Sequence, residues 1–374
     1  MIKLLVVDDS ALMRKLLGGI FAAEGDFEVV FARNGAEALV ELTRFAPDVV
    51  TLDVHMPVMD GLECLDRIMV ERPCPVVMVS ALTAEGAEVT LDALQLGAVD
   101  VIAKPAGAVS LQIDRLAPII VQKVRTAARA RIRPTTRLLD RVRMRTAQAV
   151  GAPLPAATTR LSTIRTVSSR LPPFAEIPAK AAGGLVLVGT STGGPPALDA
   201  LLSALSADFP WPVIVAQHMP GTFTGPLARR LDRLCALSVQ EVVRPVLVQP
   251  GNVYVGRGDA DVIVSARPGG LVVTIAPPHP DYLWHPSVDR LVASALDHVD
   301  PRRLVGVLMT GMGRDGAETM TILRARGGRT IAEAEETAVV WGMPGELVRA
   351  GGADVVAPLD GIANELMRMV PAWL

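Results

Sequence analysis

Five short apolar runs, each followed by a stretch with helical periodicity, occupy the first 125 residues of the chain. The runs read IKLLVV, FEVVFA, DVVTLD, PVVMVS and VDVIAK, and segments such as SALMRKLLGGIFAAEG and AEVTLDALQLGA separate them. Strands that alternate with helices in this way form a parallel sheet with helices on both faces. The sequence therefore predicts a flavodoxin-like, doubly wound α/β domain of five parallel strands over residues 1–125, whose ligands bind at the carboxyl ends of the strands.

Acidic residues end two of these runs. Asp8 and Asp9 follow the first strand and Asp53 ends the third, so a doubly wound sheet brings three carboxylates together at one edge. Such a cluster repels itself unless a hard cation neutralises it, and Mg²⁺ prefers oxygen ligands of this kind. Ser80 ends the fourth strand and Lys104 ends the fifth, where a hydroxyl and an ammonium could hold the oxygens of a phosphoryl group on Asp53.

The segments VVDDS, LDVHMPVMDG, VMVSALT and AKP resemble the response-regulator receiver domain, over roughly the first third of the chain. The resemblance implies a role for six residues: phosphoacceptor for Asp53, Mg²⁺ ligand for Asp8, Asp9, Asp53 and the backbone carbonyl of His55, and phosphoryl contact for Ser80 and Lys104. Receivers often carry an aromatic switch residue three positions before the lysine. This chain has Val101 there, so the resemblance does not extend to that switch.

The composition changes between residues 126 and 180. Eleven Lys and Arg residues stand there against two acidic residues, a net charge of +9, and Pro, Ala, Thr and Ser fill the positions between them. This pattern predicts a flexible, Arg-rich linker. A basic run also suggests nucleic-acid binding, but it lacks interleaved aromatic residues and a recognisable motif. A solvated tether, or a surface for an acidic partner, is the favoured interpretation.

Residues 181–374 predict a second domain, of mixed α/β type with a parallel central sheet. The run Leu185 to Val188 and the run in WPVIVAQHM have the composition of interior strands. The pieces GNVYVG and ADVIVSARPGGLVVTIA are typical of hairpins, the second with Gly269 and Gly270 as its turn. A strand, a Gly-rich loop and a helix follow in RLVGVLMTGMGRDGAETMTILRARGG.

Ser191 lies between an interior strand and a helix in GGLVLVGTSTGGPPALDALLSAL, where Pro195 and Pro196 suit the first helical turn. Gly189 to Gly193 matches G-x-S-x-G, in which a nucleophilic serine stands on a sharp strand-to-helix turn. A phosphate-binding loop would need a Lys after the glycines, where this chain has Pro195. The motif favours a nucleophile over a phosphate loop or a purely structural turn.

An activated serine needs a histidine base and a group that orients this base. His218 ends the next apparent strand, so a parallel sheet brings it to Ser191. Asp315 lies in the Gly-rich loop after the strand LVGVLM, at the same edge. Other candidates are less direct: His285 as a supporting or substrate-facing residue, His279 and His298 as surface residues, and the rival acids Asp281 and Asp289.

The order Ser, His, Asp differs from the Ser, acid, His order of α/β-hydrolases. The segments GTSTGG, QHMP, HPSVD, TGMGRDGA and ETAVVWGMP closely resemble the catalytic domain of the chemotaxis protein-glutamate methylesterases, the CheB family. With the receiver motifs, the resemblance covers nearly all of the chain except the linker, which is longer and richer in Arg than expected. It implies roles for five residues: nucleophile for Ser191, base for His218, orienting residue for Asp315, and backbone oxyanion donors at Thr192 and Met312.

The resemblance implies a phosphorylation-regulated hydrolase that demethylates glutamate methyl esters, releasing methanol, and deamidates glutamines on the cytoplasmic helices of chemoreceptors. Its implied partners are methyl-accepting chemoreceptors as substrates and a histidine kinase as phosphodonor. Mg²⁺ is expected at the receiver site and no cofactor in the catalytic domain. The unphosphorylated receiver is expected to cover the catalytic cleft. The alternative is a non-enzymatic phospho-switch whose second domain only binds a partner.

Bulk properties exclude several other classes. The net charge of −2 gives no general attraction to nucleic acid or an anionic membrane, and no helix-turn-helix pattern supports a DNA-binding regulator. Three cysteines without C-x-x-C pairing argue against a disulfide framework or a zinc site. The opening MIKLLVVDDS has too short an apolar run for a signal peptide, since two acidic residues follow at once. No apolar run reaches transmembrane length. We expect a cytoplasmic monomer that neither binds nucleic acid nor inserts into a membrane.

Overall fold

The computed structural model describes residues 1–81, 83–104, 109–132 and 183–370. The predicted linker therefore lies outside the described residues from residue 133 onwards. Two sheet-centred domains occupy the described part of the chain, one before the linker and one after it. None of the described helices is both long enough and apolar enough to span a membrane.

Five parallel strands form the sheet of the first domain in the order β2-β1-β3-β4-β5. This order confirms the predicted doubly wound, parallel architecture. The strands are β1 (Ile2–Val7), β2 (Phe27–Ala32), β3 (Val49–Asp53), β4 (Val76–Ser80) and β5 (Asp100–Ala103). The helices are α1 (Ala11–Glu24), α2 (Gly35–Phe45), α3 (Gly61–Glu71), α4 (Ala84–Leu96) and α5 (Val109–Ala127).

Polar side chains start the first four helices by accepting a hydrogen bond from the backbone N–H three residues further on. These caps satisfy donors that have no partner inside the first helical turn. The capping residues are Ser10, Asn34, Asp60 and Thr83. α1 and α4 end at Gly25 and Gly97, whose φ angles of 70° and 114° lie in the left-handed region that glycine adopts at low cost.

Seven parallel strands form the central sheet of the second domain in the order β15-β14-β13-β6-β7-β10-β8, as predicted, and a separate antiparallel sheet has the order β11-β12-β9. The strands are β6 (Leu185–Thr190), β7 (Val213–Gln217), β8 (Ser238–Val242), β9 (Val246–Leu247), β10 (Asn252–Gly256), β11 (Asp261–Arg267), β12 (Gly270–Ala276), β13 (Leu304–Leu308), β14 (Arg329–Glu333) and β15 (Val355–Ala357). The helices are α6 (Gly194–Ser203), α7 (Gly221–Leu234), α8 (Val288–Leu296), α9 (Ala317–Ala325), α10 (Met343–Arg349) and α11 (Leu359–Met369).

Of the two segments predicted to form hairpins, one does and the other does not. GNVYVG is not a hairpin, because β10 pairs in parallel with both β7 and β8 inside the central sheet. ADVIVSARPGGLVVTIA is a hairpin of β11 and β12, as predicted. Its turn lies one residue earlier than expected, since Gly270 already pairs with Arg267, which leaves Pro268 and Gly269 as the loop.

The arrangement of the central sheet determines where a ligand can bind. β6 lies between β13 and β7. The next strands of this sheet in the chain, β7, β8 and β10, lie on one side of β6, and the later strands β13 to β15 lie on the other side. A crevice forms at such a switch point, outside the carboxyl ends of the strands. The segments that follow β6, β7 and β13 therefore meet at one edge.

Helix α4 of the first domain packs across the domain boundary against α6 and α7. Gln95 Nε2 donates to Asp199 Oδ2 at 2.5 Å. Arg230 lies 3.0 Å from Asp199 and 3.6 Å from Asp92 of α4. These polar contacts join α4 of the first domain to α6 and α7 of the second.

Candidate active site

Ser191 stands in the tight turn between β6 and α6. Its N–H donates to the Thr310 carbonyl at 3.0 Å, and its own carbonyl accepts from Gly194 N at 2.8 Å. Gly193 has a φ of 78°, and any side chain at Gly194 would collide with the Gln217 amide. The two glycines are therefore required by the turn, and they place Ser191 at the carboxyl end of β6.

Gln217 joins this turn to the histidine and was missed by the sequence analysis. Its Nε2 donates to the carbonyls of Ser191 at 3.0 Å and His218 at 3.1 Å, while its Oε1 accepts from the Thr190 hydroxyl at 2.5 Å. The side chain is 1% exposed. A polar residue at the end of an interior strand was the available signal.

His218 directly follows β7, and its backbone N–H donates to the Thr190 carbonyl at 3.0 Å. Its Nε2 lies 2.7 Å from Asp315 Oδ2. Its Nδ1 is buried and has no hydrogen-bond partner among the described residues. With an ionised Asp315, Nε2 carries the proton of the neutral ring and Nδ1 keeps the free lone pair. Nδ1 is therefore the ring nitrogen that is free to accept a proton.

Asp315 is held by donors from the first turn of α8. Oδ1 accepts from the Ser287 hydroxyl and Asp289 N–H, both at 3.0 Å, and Oδ2 accepts from Val288 N–H at 2.7 Å. Burial raises the pKa of Asp315, but the hydrogen bond from His218, its charge when the ring is protonated, and the two N–H groups lower it, so the net pKa lies below its usual range. The carboxylate stays charged at neutral pH.

The rival residues occupy supporting or peripheral positions. Asp289 accepts from the Thr319 hydroxyl at 2.7 Å, and its pKa is raised to about 6 by burial and by the charge of Asp315. His285 Nδ1 lies 2.9 Å from the fully buried Asp261, a residue that the sequence analysis did not single out. The remaining rivals are exposed: His279, Asp281 and His298.

The two expected oxyanion donors lie on either side of the Ser191 turn. Thr192 follows Ser191, and its carbonyl accepts from the Thr310 hydroxyl at 2.8 Å. The loop that carries Met312 approaches so closely that a side chain at Gly311 would meet Ser191 Cβ at 2.7 Å. Within the described part of the chain, the N–H groups of Thr192 and Met312 donate to no other group. Both remain available to an oxyanion.

The first domain reaches the same turn. The Val99 carbonyl accepts from Gly193 N at 3.1 Å, and the Asp100 carboxylate accepts from the Thr192 hydroxyl. Asp100 is buried and also lies 2.6 Å from Lys123 Nζ. The amino end of β5 is thus hydrogen-bonded to the residues that immediately follow Ser191.

A second cluster lies at the carboxyl edge of the five-stranded sheet. Oxygen atoms of Asp8, Asp9 and Asp53 lie within 4.8 Å of one another, and Lys104 Nζ lies 2.7 Å from Asp53 and 3.0 Å from Asp8. Burial and the charge of Asp8 raise the pKa of Asp53 above its usual range, although Lys104 lowers it. Three carboxylates with little other compensation form a donor set that fits a hard divalent cation such as Mg²⁺.

Ser80 and His55 flank this cluster. Ser80 is fully buried, and its hydroxyl lies 3.3 Å from the Gly86 carbonyl in the first turn of α4. The backbone N–H of His55 donates to Asp53, which lowers the pKa of that carboxyl. Val101, at the position of the expected aromatic switch, is buried in β5.

Fold and sites together define a class of protein: a doubly wound domain with an acidic cluster at the carboxyl edge of its sheet, joined to an α/β domain in which a His–Asp pair and a serine turn follow neighbouring strands. Residues 4–113 match the family model of the response regulator receiver domain, and residues 186–366 match that of the CheB methylesterase. The chain belongs to the CheB methylesterase family, in the form that carries an amino-terminal receiver domain.

Two curated relatives show how much of the chain this family covers. A protein-glutamate methylesterase/protein-glutamine glutaminase 2 from Rhodopseudomonas palustris (strain BisB18) is 60% identical over 97% of this chain and 96% of its own length. A protein-glutamate methylesterase/protein-glutamine glutaminase 3 from Rhodospirillum rubrum is 53% identical over 100% of this chain and 96% of its own length. The similarity therefore extends over both domains and the segment between them.

Proposed function

We propose that this chain hydrolyses the methyl esters of glutamate side chains, releasing methanol, and deamidates glutamine side chains at the same site, releasing ammonia. One observation carries the proposal: His218 Nε2 lies 2.7 Å from a charged Asp315, while its buried Nδ1 has no partner in the described chain. A histidine held in this way is a general base. The names of the relatives supply the substrate class.

In the proposed reaction, Ser191 Oγ attacks the ester carbonyl carbon while His218 Nδ1 takes the hydroxyl proton. The oxyanion accepts hydrogen bonds from the N–H groups of Thr192 and Met312. The C–O bond to the methoxy group then breaks, and the imidazolium returns its proton to release methanol. Water attacks the acyl-serine with His218 again as base, which frees the glutamate and Ser191. A glutamine follows the same steps and loses ammonia.

We further propose that the substrates are methyl-accepting chemoreceptors and that a histidine kinase supplies the phosphoryl group. The family relationship supports both assignments. The proposed substrate also supports a cytoplasmic enzyme, because the methylated helices of chemoreceptors lie in the cytoplasm. We propose that the chain acts as a monomer. We assign residues 1–125 to the receiver, 126–180 to the linker and 181–374 to the catalytic domain, with α5 continuing two residues beyond this boundary to Ala127.

We propose Asp53 as the phosphoacceptor, with Asp8, Asp9, Asp53 and the His55 carbonyl as ligands of Mg²⁺, whose charge offsets that of the phosphoryl oxygens. Phosphorylation adds about −1.5 to −2 charges beside Lys104. The Ser80 hydroxyl turns from the Gly86 carbonyl to the phosphoryl group, which changes the contacts of the first turn of α4. Because α4 packs against α6 and α7, this change weakens the closed arrangement of the domains.

The test is methanol release from methylated receptor membranes by the full chain, with and without acetyl phosphate. Serine-dependent release that increases with acetyl phosphate is the expected result. Release that depends on Ser191 but not on acetyl phosphate would retain the esterase and refute the gate. Absence of release under both conditions would favour the alternative, a phospho-switch whose second domain only binds a partner.

Replacement of Asp53 by Asn is expected to remove the response to acetyl phosphate and leave basal release unchanged. The amide cannot accept the phosphoryl group, so the closed state persists. The wild-type response is expected to be about 5- to 150-fold, the range of ordinary allosteric coupling. Chelation of divalent cations should have the same effect on the wild type. Full stimulation of Asp53→Asn would refute the assignment of the phosphoacceptor.

Replacement of Gln95 by Ala is expected to raise release by the unphosphorylated chain about 2- to 10-fold, because a hydrogen bond to a carboxylate across the domain boundary is lost. The maximal release with acetyl phosphate should not change, since the open state lacks this contact. The exposed Gln249, in the catalytic domain, supplies the matched control Gln249→Ala. Unchanged basal release in Gln95→Ala would show that this contact does not hold the closed state.

A further inference from the structure

The loop between β12 and α8, residues 277–287, is anchored by a single buried carboxylate. Asp261, fully buried at the start of β11, accepts from Ser287 N–H at 2.8 Å and lies 2.9 Å from His285 Nδ1. The Arg290 guanidinium binds the same carboxylate and also donates to the carbonyl of the first loop residue at 2.6 Å. Both ends of the loop are therefore fixed against the sheet.

This anchored loop places Trp284 against the ring of His218. The two ring centroids are 5.5 Å apart, and the ring planes differ by 15°, an offset-stacked arrangement. The His218 side chain is 1% exposed and Trp284 is half-buried, so the indole covers one face of the imidazole. Asp315 binds Nε2 and so constrains the edge of the ring. Trp284 constrains one face of the same ring.

The charge on His218 changes during the reaction. The ring is neutral at rest and becomes an imidazolium as it takes the Ser191 proton. A cation over the negative face of an indole, within about 6 Å of the ring centroid, is attracted to it, and tryptophan is the strongest partner of this kind. The stacking thus favours the transition state over the resting state, as a rate-enhancing interaction must.

We infer that Trp284 is a positioning residue of the hydrolysis, which holds the His218 ring in its reactive orientation and stabilises its protonated form. This inference rests on the proposed function. Trp284 acts through His218, whereas Asp261 acts one step further back by holding the loop. The sequence analysis considered His279, Asp281 and His285 in this loop but not Trp284, which makes the ring contact with His218.

Other ionisable groups surround His218 and must be kept constant in a test. Asp289 matters most, because burial and the charge of Asp315 raise its pKa to about 6, in the range where a histidine base also responds. The charged and titratable residues in the hydrogen-bond network around His218 are Asp261, His285, Asp289, Arg290 and Asp315.

Two variants of Trp284 separate the effect of its aromatic ring on His218 from the effect of its size, which excludes water. Trp284→Phe keeps an aromatic ring over His218, and Trp284→Leu keeps an apolar side chain without one. We expect Trp284→Phe to stay within about 3-fold of the wild type, and Trp284→Leu to lower kcat about 5- to 30-fold with little change in KM. A less stabilised imidazolium should also move the acidic limb of the kcat/KM profile to lower pH in Trp284→Leu.

The measurement is methanol release from methylated receptor membranes between pH 5 and 8, with full-length protein and acetyl phosphate. Leu283→Ala is the matched control, because the neighbouring Leu283 is exposed. Equal losses in Trp284→Phe and Trp284→Leu, or a rise in KM with an unmoved acidic limb, would overturn the inference. A wild type whose release does not require Ser191 would overturn the proposed function itself, which is a separate outcome.

Discussion

Ser191→Ala is expected to lower methanol release from methylated receptor membranes by at least about 10⁴-fold. Without the hydroxyl no acyl-serine forms, and His218 Nδ1 has no proton to take from the enzyme. The residual rate then comes from substrate binding and from the oxyanion donors alone. The decisive measurement is kcat in the presence of acetyl phosphate, so that the closed state does not hide the loss.

The structure offers a matched control for this variant. Ser203 ends α6, the same helix that Ser191 precedes, and its side chain is exposed. Ser203→Ala should therefore retain wild-type release and wild-type thermal stability. If Ser191→Ala keeps more than about a hundredth of the wild-type rate, the reaction does not pass through an acyl-serine, and the role proposed for Ser191 fails.

Much of the fold follows from patterns that are local in sequence. The three inner strands of the first domain, β1, β3 and β4, and the strand before Ser191 are mostly buried on both faces, which gives continuous apolar stretches. The edge strand β2 is partly exposed, with Glu28 and Phe31 facing solvent. GNVYVG was misinterpreted because a short strand-like run does not show which strands it pairs with. In the structure Tyr254 is 1% exposed, and its hydroxyl bonds to the Leu247 carbonyl and Gln249 N–H. The partners of that hydroxyl depend on a tertiary arrangement that no window of sequence shows.

The candidate site was accessible to sequence analysis for a geometric reason. Ser191, His218 and Asp315 each follow a parallel strand, and adjacent parallel strands end at one edge. The sequence analysis did not find Gln217, Asp261 and Trp284, because each of them contacts a residue that is distant in the chain or belongs to another element. The contact between Asp100 and Thr192 was out of reach for a further reason, since it depends on how two separately folded domains dock.

Asp315→Asn is expected to lower kcat about 10³- to 10⁴-fold while the fold is retained. The carboxylate now receives four donors: His218, Val288 N–H, Asp289 N–H and the Ser287 hydroxyl. An amide that turns its NH₂ towards His218 makes Nε2 the acceptor and moves the ring proton to Nδ1, which removes the base. An amide that turns its oxygen towards His218 keeps the tautomer but no longer balances the charge of the imidazolium.

Both orientations of the amide therefore predict a loss in kcat rather than in KM. Asp281→Asn serves as the matched control, because Asp281 is an exposed carboxylate of the loop that precedes α8. A comparable loss in both variants would point to a general effect of charge near the site. Wild-type activity in Asp315→Asn would show that the 2.7 Å contact with Nε2 does not fix the base. His218 would then need another partner to keep its proton on Nε2, and no described residue other than Asp315 bonds to that nitrogen.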